Sequence, residues 1–130
     1  MKHFKERIKF VLYFSDPIKK GIIMIESIST CTYEKTKTIE NLVDDDHAMI
    51  NHIILPKEHS IPSHLSNSNV YLIVVKGRLT LTLNDQDPHK YTAGQIISIP
   101  YQIHMNIDNV DEEILEFFVV KSPSPAHYKA

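Results

Sequence analysis

Only three glycines occur in this chain of 130 residues, and two of them, Gly77 and Gly94, interrupt its most apolar stretches. The stretches are VYLIVVKGRLTLTLND and YTAGQIISIPYQIHMNIDN. A glycine inside a strand pattern marks a tight bend, a bulge or a close approach of two backbones. The pair predicts two corners of a small all-β barrel.

The rest of the chain reads consistently with that. HAMINHIILP is an apolar, β-branched run closed by Pro56, and reads as a strand. SIPSHLSNSN is polar and rich in turn formers, so it reads as a connection. VYLIVV is too apolar to be exposed on either face and belongs in a barrel or sandwich interior. In RLTLTL, Leu79, Leu81 and Leu83 share one face while Arg78, Thr80 and Thr82 share the other. KYTAGQIISIP reads as one further strand, IHMNIDN as another and ILEFFVV as the last, and the Pro-rich tail KSPSPAHYKA as a surface arm. Short strands separated by Asn, Asp, Pro and Gly turns argue for a barrel or jelly roll.

Length and charge bound the function classes. The chain is long enough for one domain and its core. A net charge of -2 with interspersed signs provides no field suited to nucleic acid or an anionic membrane. The apolar run FVLYF near the N-terminus is too short to span a bilayer, and Ser15, Asp16 and Pro17 end it before a small-residue cleavage site. Residues 1–27 are expected to be an extension, either an added strand or helix or a dispensable leader with Met24 as the start. Residues 28–122 form the barrel and 123–130 the arm. The sole cysteine, Cys31, cannot make an intrachain disulfide and reads as a small hydrophobe. It fits a reducing compartment, so a cytoplasmic location is expected.

With the two glycines as anchors, the chain resembles the cupin family, a jelly-roll barrel defined by two motifs. The first runs Gly, five residues, His-x-His, three or four residues, Glu, six residues, Gly. Here it places Glu58 at the first glycine, His64 at the first histidine, Ser66 at the second, Val70 at the glutamate and Gly77 at the end. The second starts at Gly94 and reaches Pro100, Gln102 in place of glycine, Met105 in place of histidine, and Asn109. The sixteen residues between Gly77 and Gly94 are similar to the short inter-motif segment of small bacterial cupins.

The resemblance implies a metal site that these residues do not repeat. In metal-containing cupins the two histidines, the glutamate and the second-motif histidine bind a divalent transition metal. Imidazole and carboxylate with open positions support dioxygenase, isomerase or decarboxylase chemistry. Of those positions only His64 is kept. Ser66 is a weak neutral ligand, Val70 has no lone pair and Met105 is a soft thioether.

His104, beside Met105, is the natural objection. Side chains on a strand alternate, so the ungapped register turns Met105 inward and His104 outward, whereas a shortened turn after Pro100 reverses them. His52, on the preceding strand, completes the best alternative metal triad with His64 and His104. Its competing reading is a hydrogen-bonded barrel histidine. His47, His59 and the run Asp44, Asp45, Asp46 read as solvated turn residues. Ser66 and His64 lack the oxyanion donors and orienting carboxylate of a nucleophilic site.

The favoured expectation is a cupin-like binding module rather than an enzyme. It holds a small organic ligand, without a metal or other cofactor, in a pocket built from His64, Ser66, Val70, Leu72 and Met105. The alternative is a metal-dependent enzyme of dioxygenase or isomerase type using His64, His104 and His52. Apolar residues on both faces of VYLIVV and ILEFFVV suggest a homodimer.

Overall fold

The computed structural model describes residues 24–129. The leader and the N-terminal start weighed above lie almost wholly outside them. The described chain is nearly all β. In order the strands are β1 (Thr38–Asp44), β2 (Met49–Pro56), β3 (Ser60–Leu65), β4 (Val70–Lys76), β5 (Arg78–Leu83), β6 (His89–Thr92), β7 (Ile96–Ile99), β8 (His104–Asp108) and β9 (Ile114–Lys121).

They form two antiparallel sheets, one of five strands ordered β1-β2-β9-β4-β7 and one of four ordered β3-β8-β5-β6. Only the β1–β2 and β5–β6 hairpins stay within a sheet. Every other connection crosses to the facing sheet, which is how a jelly roll closes around its core. Between the sheets Leu55, Leu72, Leu79, Leu81, Ile99 and Phe117 are buried.

The crossings explain the glycines. Gly77 turns β4 into β5 at φ +85, and a Cβ there would meet the Ile114 carbonyl oxygen at 2.3 Å. A side chain at Gly77 has no room. Gly94 turns β6 into β7 at φ +92, with its N–H donating to the Val74 carbonyl over 2.9 Å. A Cβ on Gly94 would meet nothing within 4 Å, so its requirement is conformational.

Two further crossings carry the same left-handed backbone without glycine. Glu58, between β2 and β3, has φ +68, and Gln102, between β7 and β8, has φ +65. An L-residue in that region costs about 1 kcal/mol. Hydrogen bonds hold both turns: the Glu58 N–H donates to the Asn109 carbonyl, 2.7 Å, and the Gln102 N–H to the Ser66 carbonyl, 3.0 Å.

Four readings of the sequence need correction. SIPSHLSNSN holds strand β3, which sequence polarity conceals because most of its residues are exposed. KYTAGQIISIP is two strands, split by the Gly94 corner and lying in different sheets. The tail is not merely an arm: Ser124 and Pro125 are buried, and Tyr128 stacks on Tyr101 with ring centroids 3.9 Å apart. VYLIVV is not covered on both sides, because Tyr71 and Val75 are exposed on the outer face of the chain.

Candidate functional site

A cavity of about 140 Å³ opens between the sheets, lined from β1, β2, β4 and β9 of one and from β3 and β8 of the other. Its wall is largely apolar, with Ile53, Ile61, Val70, Met105, Ile107 and Val119 among its lining residues. Four polar side chains, Asn51, His64, Asn67 and Lys121, join them, together with Ser66.

His64 reaches the cavity through an irregularity. Ile61 and His64 both line it, although strict alternation sends residues three apart to opposite faces. The register of β3 against β8 shifts between these two residues, a bulge across Pro62 and Ser63 that re-aims the imidazole inward. Its Nδ1 lies 2.9 Å from the Pro62 carbonyl oxygen. A carbonyl only accepts, so Nδ1 carries a proton and Nε2 is the ring nitrogen left for the cavity.

The second-motif residues follow the ungapped register. Met105 is buried, pairs with His64 and lines the cavity. His104 points out of the barrel, where both ring nitrogens lie near Ser63 Oγ, at 3.1 and 2.9 Å.

Ser66 lines the cavity, but its hydroxyl is already used. Oγ donates to the Pro100 carbonyl, 2.7 Å, and accepts from the Ile103 N–H, 2.8 Å. These bonds pin the Gln102 turn against the end of β3. Ser66 thus supports the mouth of the cavity that it lines. Leu72 leaves the expected pocket: it is fully buried in the core and does not line the cavity. Asn109 is likewise structural, its side-chain amide donating to the Leu55 carbonyl over 2.8 Å.

The triad of His52, His64 and His104 is not assembled. Asn51 and Ile53 line the cavity, so His52 between them faces the outer side of the five-stranded sheet. There its Nδ1 lies 2.8 Å from Glu40 Oε2 and its Nε2 2.7 Å from Glu116 Oε2. The Phe118 ring lies 5.0 Å away. Glu40 and His52 are completely buried, and the Thr32 N–H donates to Glu40 Oε2 over 3.2 Å from the segment that precedes β1. His52 is a clamp between strands.

A transition metal does not fit the cavity. His64 is the single imidazole there, the Ser66 hydroxyl is a weak neutral donor already bonded to Pro100 and Ile103, and Val70 and Met105 offer no hard donor. Among the described residues, no group of three or more His, Cys, Asp or Glu is arranged to hold a metal ion.

Sequence reasoning missed Lys121. It ends β9, and counting by twos from Leu115 through Phe117 and Val119 brings it to the inner face. Burial in the apolar wall pushes its ammonium below the usual lysine range. Asn51 was also missed. Its Oδ1 accepts from Asn41 Nδ2 over 2.8 Å, leaving its own amide N–H groups as donors.

Residues 51–121, more than half of the chain, match the cupin domain family model. The chain is a cupin. An uncharacterized protein of Methanocaldococcus jannaschii, MJ0764, is 51% identical to this cupin over 96 residues, covering 74% of this chain and 83% of its own. The crystal structure of that protein, described as an RmlC-like cupin with a double-stranded β-helix fold, superposes with a TM-score of 0.80. The superposition has 48% identity and covers 83% of this chain and all of the other. A cupin superfamily protein of Desulfitobacterium hafniense shares the fold at 13% identity, with a TM-score of 0.59 over 72% of this chain and 83% of its own. The polyketide cyclase RemF of Streptomyces resistomycificus does so at 22% identity, with a TM-score of 0.60 over 68% of this chain and 66% of its own. No helix of the described residues is long and apolar enough to cross a membrane.

Proposed function

We propose that this cupin is a binding module that holds a small organic molecule in the cavity between its sheets, without a metal. The observation that carries this reading is the lining itself. An apolar wall with a few convergent polar groups orients a small molecule, and here the metal-ligand positions of the family contribute Val70 and Met105 to that wall.

The test is a screen of small organic molecules by amide chemical-shift mapping on the full chain. Binders are expected to move the amides of Ile53, Met105 and Val119 and to leave those of Glu40, His52 and Glu116 on the outer face unchanged. Metal analysis of protein purified without a polyhistidine tag, after incubation with iron, manganese, nickel and zinc, supplies the counter-test. A stoichiometric metal that is lost in His64→Ala overturns the reading.

Homodimer formation belongs to the same proposal. Tyr71, Val75 and Ile96 are exposed together on the outer face of β4 and β7, which suits burial against a second copy. Solution mass across a concentration series checks it, a monomer at all concentrations being the contrary result.

A further inference from the structure

The polar groups of the cavity differ in sign and in what they lack. Lys121 is the only cation of fixed charge in the lining, and no lining residue is acidic. Among the described residues its ammonium has no hydrogen-bond or ion-pair partner, and burial alone accounts for its lowered pKa. A half-buried lysine on an apolar wall without a counter-ion is costly. It is the kind of group a protein keeps for a ligand of opposite charge.

The neighbours sharpen what that ligand is. Asn51 spends its carbonyl oxygen on Asn41 and presents donors, which suit an anionic oxygen. His64 spends its Nδ1–H on the Pro62 carbonyl, so only its Nε2 remains for a ligand. Size sets the remaining limit. A cavity of about 150 Å³ holds a molecule of benzene's size, so this one of about 140 Å³ takes roughly six or seven non-hydrogen atoms. One cation, one set of amide donors and an apolar wall describe a single negative charge on a short hydrocarbon body.

We propose that the cavity binds a short-chain monocarboxylate, its carboxylate on Lys121 and Asn51 and its apolar body against Ile53, Val70, Met105 and Val119. This rests on the reading of the cavity as a small-molecule site and adds the ligand's charge class. Lys121 holds the carboxylate by a charge-assisted hydrogen bond, and the hydrocarbon displaces water from the wall.

Calorimetric titration of the full chain at pH 7 and constant ionic strength compares sodium isovalerate with isovaleramide, which has the same shape and no charge. Isovalerate is expected to bind at least about tenfold more tightly, the scale of a hydrogen bond to a charged group. Lys121→Met is expected to remove that preference, isovalerate losing at least about tenfold in affinity, and Lys121→Gln, which keeps a polar end, is expected to remove it as well.

Equal binding of the two probes to the unaltered protein overturns the carboxylate inference and leaves the cavity reading standing. A preference that survives in a folded Lys121→Met or Lys121→Gln overturns it as well. Inorganic phosphate that displaces isovalerate at equal concentration reduces the site to a plain anion site, against the proposal. If neither probe binds while the screen finds other binders, the carboxylate inference falls and the cavity reading stands; if the screen finds none either, both fall.

Discussion

The two faces of β2 use the same kinds of polar residue to opposite ends. On the outer face His52 lies between Glu40 and Glu116, with both ring nitrogens within 2.8 Å of a carboxylate oxygen. On the inner face Asn51 looks into a cavity where Lys121 has no partner among the described residues and His64 keeps one nitrogen uncommitted. The outer group is the more deeply buried, Glu40 and His52 being fully enclosed where Asn51 and Lys121 are half-buried and His64 is exposed. The two regions differ also in satisfaction. A saturated polar cluster ties strands together, whereas an unsaturated one on an apolar wall reserves its bonding capacity for something that enters.

That contrast predicts opposite signs for substitutions on the two faces. The largest effect is expected on the outer one. His52→Leu leaves two acidic side chains, one fully buried, without their shared donor, and should lower unfolding stability by about 3 kcal/mol in denaturant titration. Isovalerate affinity, measured on the folded fraction, should not change. A stable His52→Leu protein that has lost its ligand would erase the distinction between the faces. Replacing Glu40, His52 and Glu116 together by Met, Leu and Met should recover most of the loss, because no charge is then stranded.

Ser66 sits at the border of the two regions and tests where it runs. Ser66→Ala removes a donor from the Pro100 carbonyl and an acceptor from the Ile103 N–H, and is expected to cost about 2 kcal/mol. If the substitution leaves stability intact and abolishes ligand binding instead, Ser66 belongs to the cavity.

The corner positions come next. Gln102→Gly and Glu58→Gly relieve left-handed strain and should each raise stability by about 1 kcal/mol. The gain at Gln102, whose turn is braced by Ser66, should persist in the Ser66→Ala background. Loss of that gain would show that Ser66 is what imposes the strain.

These positions also show which features were legible in the sequence. Gly77 and Gly94 announce their corners by composition. Glu58 and Gln102 adopt the same backbone but carry ordinary side chains, so only their register within the two motifs hints at it. Strand β3 escaped because it is polar, contains Pro62 and carries a bulge, which breaks the period of two that reveals RLTLTL. The partners of His52 lie 12 and 64 residues away in sequence, and pairing across a sheet leaves no local signature. Lys121 was within reach: alternation along ILEFFVVK turns it inward, but a lysine at the end of an apolar strand reads first as a solvent-facing terminus.

Lys121 gives the smallest stability effect, and its replacement, like the corner substitutions, raises stability. In the native protein burial disfavours its charged form and lowers its pKa from 10.5, whereas the unfolded chain titrates at the ordinary value. Below the lowered pKa both states hold the proton, and the native state bears the full cost of the buried charge. Between the two pKa values the unfolded chain binds more protons, so the stability of the unaltered protein rises with pH. Lys121→Met removes the cost at every pH. It is therefore expected to melt slightly higher at pH 7, with an advantage that shrinks as the pH approaches 10.5. Saturating isovalerate at pH 7 should reverse the order, because only the unaltered protein is stabilised by the anion. A Lys121→Met protein that melts lower than the unaltered one without ligand would mean that Lys121 is already satisfied in the native state, and the two faces of β2 would then differ only in which groups satisfy them.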